Sequence, residues 1–206
     1  LSMKNKKFKK ISKNIYEAEN VFPKKVAEKI FSKFKKNDSK SWKLIIQKKP
    51  ENYSTLFKNY SKFLPDKDEI YLAKFYRSNK LRNNPYIKQS IQKFILPLFK
   101  KYLKYNIKSY EIRCHKWKKN NHSRLHFDDY AGSYSANLNF NKTWKWDWGG
   151  ILSIPGENNG KKLFSVYPGW NSLNIFLSGK KNTPHFVTPV QSFAKSHRYS
   201  ITIFIK

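Results

Sequence analysis

Acidic residues are scarce in this chain. Against 43 Lys and Arg stand 13 Asp and Glu, a formal net charge of +30 over 206 residues. A field of that sign draws polyanions such as nucleic acid, ribonucleoprotein or acidic polypeptide, but it does not specify a fold. Lys and Asn enrichment also has a bland origin in genome base composition, and the sequence leaves both readings open. Cysteine is nearly absent. Cys114 alone excludes a disulfide within the chain and a Cys-based zinc site, and it fits a reducing compartment. With 7 Gly and 9 Pro, collagen-like and linker-dominated readings fall away. No run has the length and apolarity of a membrane span. The basic stretch Lys4 to Lys13 is not followed by the apolar core of a secretory signal, so the expected location is cytoplasmic.

Aromatic residues are plentiful: 16 Phe, 13 Tyr and 6 Trp, within a hydrophobic fraction of 39%. That content requires a packed interior over most of the length. One domain over 15–206 is expected, preceded by a flexible basic tail over 1–14. The character of the chain changes near residue 105. The first half reads as helical support, about 15–105. Pro23 to Lys36 places Val26, Ile30, Phe31 and Phe34 near helical spacing with lysines opposite. Pro85 to Lys104 is the strongest helical pattern, with Pro97 inside it as a kink or a break. Trp42 to Gln47 reads as a short strand, and Asp66 to Tyr76 as a short helix or strand.

The second half, about 106–206, reads as strands. Eight candidates recur at about ten-residue spacing with Asn, Gly, Pro and Ser between them. They are Ser109 to His115, Leu125 to Asp128, Tyr134 to Phe140, Gly149 to Ile154, Lys161 to Val166, Ser172 to Phe176, Phe186 to Val190 and Tyr199 to Ile205. The last alternates Tyr199, Ile201, Ile203 and Ile205 against Ser200, Thr202 and Phe204. The expected fold class is α+β: a jelly roll with an N-terminal helical region packed on the sheet.

The chemistry-bearing residues lie in that second half. His126 and Asp128 are two apart, so on a strand both side chains reach one side, with Phe127 on the other. Alone, such a dyad is often a surface histidine beside a strand-end carboxylate. His185 opens a later strand, and Arg198 follows it by thirteen residues. Two His and one Asp can cap one face of an octahedral ferrous ion and leave other positions open. A cation on a neighbouring strand can hold an acidic cosubstrate. Asn137 and Asn139 share one face of their strand, from which either could reach the cosubstrate, with ordinary polar residues on a half-exposed strand as the alternative. Trp144, Trp146 and Trp148 read as packing between sheets, with a wall against an apolar substrate as the alternative.

These segments resemble the iron(II) and 2-oxoglutarate-dependent dioxygenases, in the prolyl 4-hydroxylase-like branch. The resemblance runs through RLHFDDYAGSYSANLNFN, WDWGGILSI, YPGWNSLNIFLSG, PHFVTPV and HRYSITIFI, in the family's order and over about residues 107–206. It implies a double-stranded β-helix in which His126, Asp128 and His185 bind iron. Arg198 would pair with the far carboxylate of 2-oxoglutarate, with Ser200 adding a hydroxyl. Molecular oxygen would be the second cosubstrate and ascorbate a candidate reductant. The products would be succinate, carbon dioxide and a hydroxylated C–H position. Two departures stand out. The tyrosine that the family often sets against 2-oxoglutarate has Tyr110, His115 or Trp117 as its candidate replacement, and the interval from His185 to Arg198 is long. His115, His122 and His197 otherwise read as solvated or hydrogen-bonded. Asp129 follows the ligand and would face the other way.

The branch implies a prolyl residue in a protein or peptide as substrate. Alternatives are a nucleic-acid demethylase or hydroxylase, a free amino-acid hydroxylase, and a non-enzymatic basic RNA- or ribosome-binding protein. The positive surface suits a polyanion or ribonucleoprotein contact.

Overall fold

The computed structural model describes residues 8–12, 15–128, 132–156, 161–178 and 183–206. Twelve strands appear among them. In chain order they are β1 (Lys9–Ser12), β2 (Ile15–Ala18), β3 (Lys43–Lys48), β4 (Tyr71–Arg77), β5 (Tyr110–Trp117), β6 (His122–His126), β7 (Tyr134–Phe140), β8 (Leu152–Pro155), β9 (Leu163–Val166), β10 (Trp170–Leu177), β11 (His185–Val187) and β12 (Arg198–Ile205). The helices are α1 (Lys24–Lys36), α2 (Tyr53–Leu56), α3 (Asn79–Arg82), α4 (Pro85–Phe94) and α5 (Leu96–Leu103).

All pairings are antiparallel, in the order β1-β2-β10-β7-β12-β5-β4-β6-β11-β8-β9, with β3 on β4. The sheet folds back on itself into a near-barrel, the double-stranded β-helix. β12 sits at the centre of one wall, between β5 and β7, and all eight of its residues are buried. Its alternation sorts two environments. Tyr199, Ile201, Ile203 and Ile205 join Ile112, Cys114, Ala136, Leu138, Leu173 and Ile175 on the outer face, packed against the helices. Arg198, Ser200, Thr202 and Phe204 face inward. The reason is the two-residue period of a strand whose two faces meet different layers.

α1 buries Ala27, Ile30 and Phe34 on that outer face, and α4 buries Ile87 and Ile91. Asn84 caps α4 by accepting from the Ile87 amide at 3.3 Å. The long helical pattern is divided at Ile95, because Pro97 supplies no amide to continue the ladder. A second apolar cluster, including Phe75, Trp117, Trp144, Trp148, Val187 and Val190, fills the barrel interior.

The N-terminal half carries the expected helices and the strand expected over 42–47, and adds more strand than the mainly helical reading gave. It contributes β1 to β4 as well as helices. Residues 9–12, read as part of a loose basic tail, form edge strand β1 on β2, whose Ala18–Ile15 pair with Leu173–Phe176 of β10. Lysines on an edge strand suit exposure and discourage pairing with another chain, so the basic sequence hid a strand. The rest of the expected 1–14 tail, residues 1–7, 13 and 14, lies outside the described residues, as does Asp129. Asp66 to Tyr76 resolves as a strand beginning at Tyr71.

Candidate active site

β6 and β11 pair so that His126 and His185 are direct cross-strand partners. Their rings lie 4.2 Å apart, centroid to centroid. Strand β6 ends at His126, so Asp128 is not on the strand as the sequence suggested. It still turns inward, 6% exposed, while Phe127 stacks outward on Phe57. Asp128 Oδ1 lies 3.8 Å from His126 Nε2, and Oδ2 lies 3.5 Å from His185 Nε2. One donor atom from each residue falls within 4.8 Å of the other two.

Each ligand is oriented by a second contact. The His126 Nδ1 meets the Arg124 carbonyl oxygen at 2.8 Å, and the His185 Nδ1 meets that of Thr183 at 3.0 Å. A carbonyl only accepts, so each Nδ1 carries the proton and each Nε2 offers a lone pair toward Asp128. Ser135 Oγ donates to Asp128 Oδ2 at 2.8 Å and fixes the carboxylate. Burial first, and then the neighbouring His126, lower the His185 pKa to about 4, which keeps its ring neutral. The donor set fits iron(II): two imidazoles and one carboxylate on one side of a cavity, other positions open.

Behind the triad the cavity continues along the inner face of β12. The register aligns Arg198 with Trp117, Ser200 with His115 and Asn139, and Thr202 with Arg113 and Asn137. Arg198 is 2% exposed. It donates to Asn139 Oδ1 at 3.3 Å and lies 5.2 Å from the Trp117 ring centroid. Its Nε has no partner, and among the described residues no carboxylate pairs with it. Burial pulls the guanidinium pKa down to about 9. It remains a cation at neutral pH, without a counter-charge.

Trp117 Nε1 donates to Ser200 Oγ at 3.4 Å, and Thr202 Oγ1 donates to Asn137 Oδ1 at 2.7 Å. His115, expected as solvated or hydrogen-bonded if not a cosubstrate contact, is buried in mid-strand. Its Nδ1 is 3.3 Å from Thr202 Oγ1, and its Nε2 has no partner. Burial holds its pKa well below the ordinary value. His115 and Trp117 both line the cavity, whereas Tyr110 packs on the helix side of the sheet. His122 and His197 stand outside it, as expected. Trp144 and Trp148 are buried in the interior, and Trp146 is exposed against Tyr167. Sequence reasoning missed Ser135 and Thr202. Thr202 was accessible to it, by strand alternation from Arg198, but the Ser135–Asp128 contact joins two strands and exists only in the fold.

Residues 111–206 match a family model described as the 2OG-Fe(II) oxygenase superfamily. That half of the chain, residues 111–206, is a 2OG-Fe(II) oxygenase superfamily domain. The triad geometry agrees with it, and the protein is an iron(II)- and 2-oxoglutarate-dependent hydroxylase of the dioxygenase type. A prolyl-4-hydroxylase of Pseudomonas putida shares the fold at 17% identity and a TM-score of 0.61, covering 94% of this chain and 92% of that one. A viral collagen prolyl hydroxylase from Paramecium Bursaria Chlorella virus-1, solved with 2OG, shares it at 12% identity and a TM-score of 0.54, with 94% and 96% coverage. A 2OG-Fe(II) oxygenase family oxidoreductase from Burkholderia pseudomallei follows at 10% and 0.52, with 87% and 90%. The search of curated proteins gives no match.

Proposed function

We propose that this oxygenase hydroxylates a prolyl residue in a protein or peptide. The observation that carries the reading is the whole-chain likeness, N-terminal region included, to a protein described as a prolyl-4-hydroxylase. The cavity supports the cosubstrate half of the reaction. An anionic group beside Arg198 would neutralise a guanidinium that is buried without a carboxylate partner, and removing such a mismatch is favourable. A dicarboxylate with one end at Arg198 and Ser200 would run past His115, Thr202 and Asn137 toward the triad. Among the described residues, the His115 Nε2 and the Arg198 Nε are buried polar atoms along that path without a hydrogen-bond partner.

When bound, iron(II) and 2-oxoglutarate supply oxygen activation: one oxygen atom enters the C–H bond and the other enters succinate as carbon dioxide leaves. The chain's own residues do the rest. Arg198 and Ser200 bind the distal carboxylate and set its reach. Ser135 holds the Asp128 carboxylate in one orientation, and the Arg124 and Thr183 carbonyls hold the two imidazoles. Trp117, Trp148, Val187 and Val190 exclude water from the interior.

The reading is tested by incubating the protein with iron(II), 2-oxoglutarate, oxygen and a set of proline-containing peptides, followed by mass spectrometry. A gain of one oxygen on proline is the expected result. Oxidation confined to oligonucleotides or to free amino acids would replace it with one of the alternatives.

A further inference from the structure

A second cavity lies on the other side of β12. Strand alternation sends Arg198 and Ser200 toward the triad and turns Tyr199 the opposite way, with His197 at the strand's entry. A groove of about 740 Å³ opens there, lined by Lys35, Lys118, Lys119, Lys142, Lys195 and His197. These residues come from four separate stretches of chain: α1, the segment after β5, the segment after β7, and the turn before β12. Among the described residues, no acidic side chain lines the groove. The only carboxylate paired with one of these lysines among the described residues is Glu28, 2.7 Å from Lys142.

Several of the cations are held in place. Lys118 Nζ lies 4.4 Å from the Tyr76 ring centroid, and Lys142 Nζ lies 4.9 Å from that of Trp170. Behind them Lys116 stacks on Trp42 at 4.5 Å. Each contact replaces part of the lysine's freedom with a fixed direction. His197 feels burial first and then Lys116, Lys118, Lys35 and Lys119, which lower its pKa and leave a neutral ring. The rings of Phe31 and Tyr199 complete the lining. A further basic cleft, with Lys29, Lys33, Lys36 and Lys80, lies along α1 as well.

The type of cation is informative. The chain has five arginines, Arg77, Arg82, Arg113, Arg124 and Arg198, and none lines this groove; three line the catalytic cavity. Lysine acts as a point charge with no fixed partner geometry, so a row of lysines follows phosphates at varied positions. A positive groove with the half-buried Phe31 ring in its lining suits a single strand bound without sequence readout. We propose that this groove binds the backbone of a single-stranded nucleic acid. The sheet separates the bound strand from the triad, so the strand is a tether and not the group oxidised. This binding is independent of which substrate the triad hydroxylates.

Fluorescence anisotropy of a short labelled poly-uridine RNA with the full chain tests it. Between about 50 and 200 mM salt, log K should fall with a slope near −0.7 for each phosphate neutralised, so roughly −3 to −4 for the five lysines. Replacing three of them, Lys35→Gln with Lys118→Gln and Lys119→Gln, should weaken binding at least about tenfold and flatten the slope by about 2. The opposite wall, Lys142→Gln with Lys195→Gln, should weaken it as well. A control on α5, Lys100→Gln with Lys101→Gln and Lys104→Gln, should change affinity less than about twofold. The proposal is overturned if the control weakens binding as much as the groove variants. It is equally overturned if polyglutamate competes as well as RNA, or if affinity does not respond to salt.

Discussion

Arg198 is buried, and among the described residues no carboxylate meets its charge. That arrangement costs the empty protein stability and is offset when an anion arrives. Arg198→Met should therefore raise the KM for 2-oxoglutarate at least about tenfold, since a charge-assisted pair is lost. The same variant, free of cosubstrate, should melt no lower than wild type. A large drop in its melting temperature would show that Arg198 holds the fold rather than the cosubstrate. His115 gives a pH dependence. Its folded pKa is well below the unfolded value near 6.5, so below pH about 6.5 the unfolded chain takes a proton that the folded chain refuses. Stability is full above that pH and falls as pH drops, by up to about 1.4 kcal/mol per unit for one proton. Urea unfolding at neutral and mildly acidic pH should show this loss, and His115→Gln should lessen it. At this scale the sequence was informative about residue type: His126, Asp128, His185 and Arg198 were all legible from motif order. The roles of His115 and Trp117 were not, because choosing between them and Tyr110 needed the direction in which β5 faces.

Elements carry the site by their register and their turns. His126 meets His185 because β6 and β11 pair at those two residues. The turn between Trp148 and Leu152 is equally specific. Gly149 has φ 66° and ψ −151°, and a Cβ there would sit 2.0 Å from the Pro189 carbonyl oxygen. Gly149→Ala should lower stability by about 2 kcal/mol or more, from backbone strain and the collision together. Unchanged urea unfolding would show that the turn can relax. Gly150 packs beside the Arg198 stem, where a Cβ would lie 3.1 Å from its Cδ, so this turn also shapes the cosubstrate end of the cavity. The GG pair and the Pro97 break were visible in the sequence, as was β7 to its last residue. Strands β1 and β2 were not: they are short, β2 pairs with β10 more than 150 residues away, and β1 forms only on β2.

For the whole molecule, the relevant quantity is how the site couples to folding. A metal and a cosubstrate that bind only the folded chain stabilise it by mass action, about 2.7 kcal/mol at a hundredfold excess over Kd. For a chain of this size that corresponds to roughly 5 to 10 °C. Melting with manganese(II) and 2-oxoglutarate under non-turnover conditions should show such a rise. A chelator should reverse it, and Asp128→Ala should lack it. The sequence alone determined the rhythm of jelly-roll strands, and its resemblance to a known family pointed to the triad, because strand period and motif order are local properties of the chain. It also determined the +30 charge, but not where that charge is concentrated. Only the tertiary structure placed Ser135 on Asp128, buried Arg198 without a counter-ion, and gathered lysines from four segments into one groove. Each of those depends on residues far apart in sequence meeting across the sheet, which no local pattern encodes.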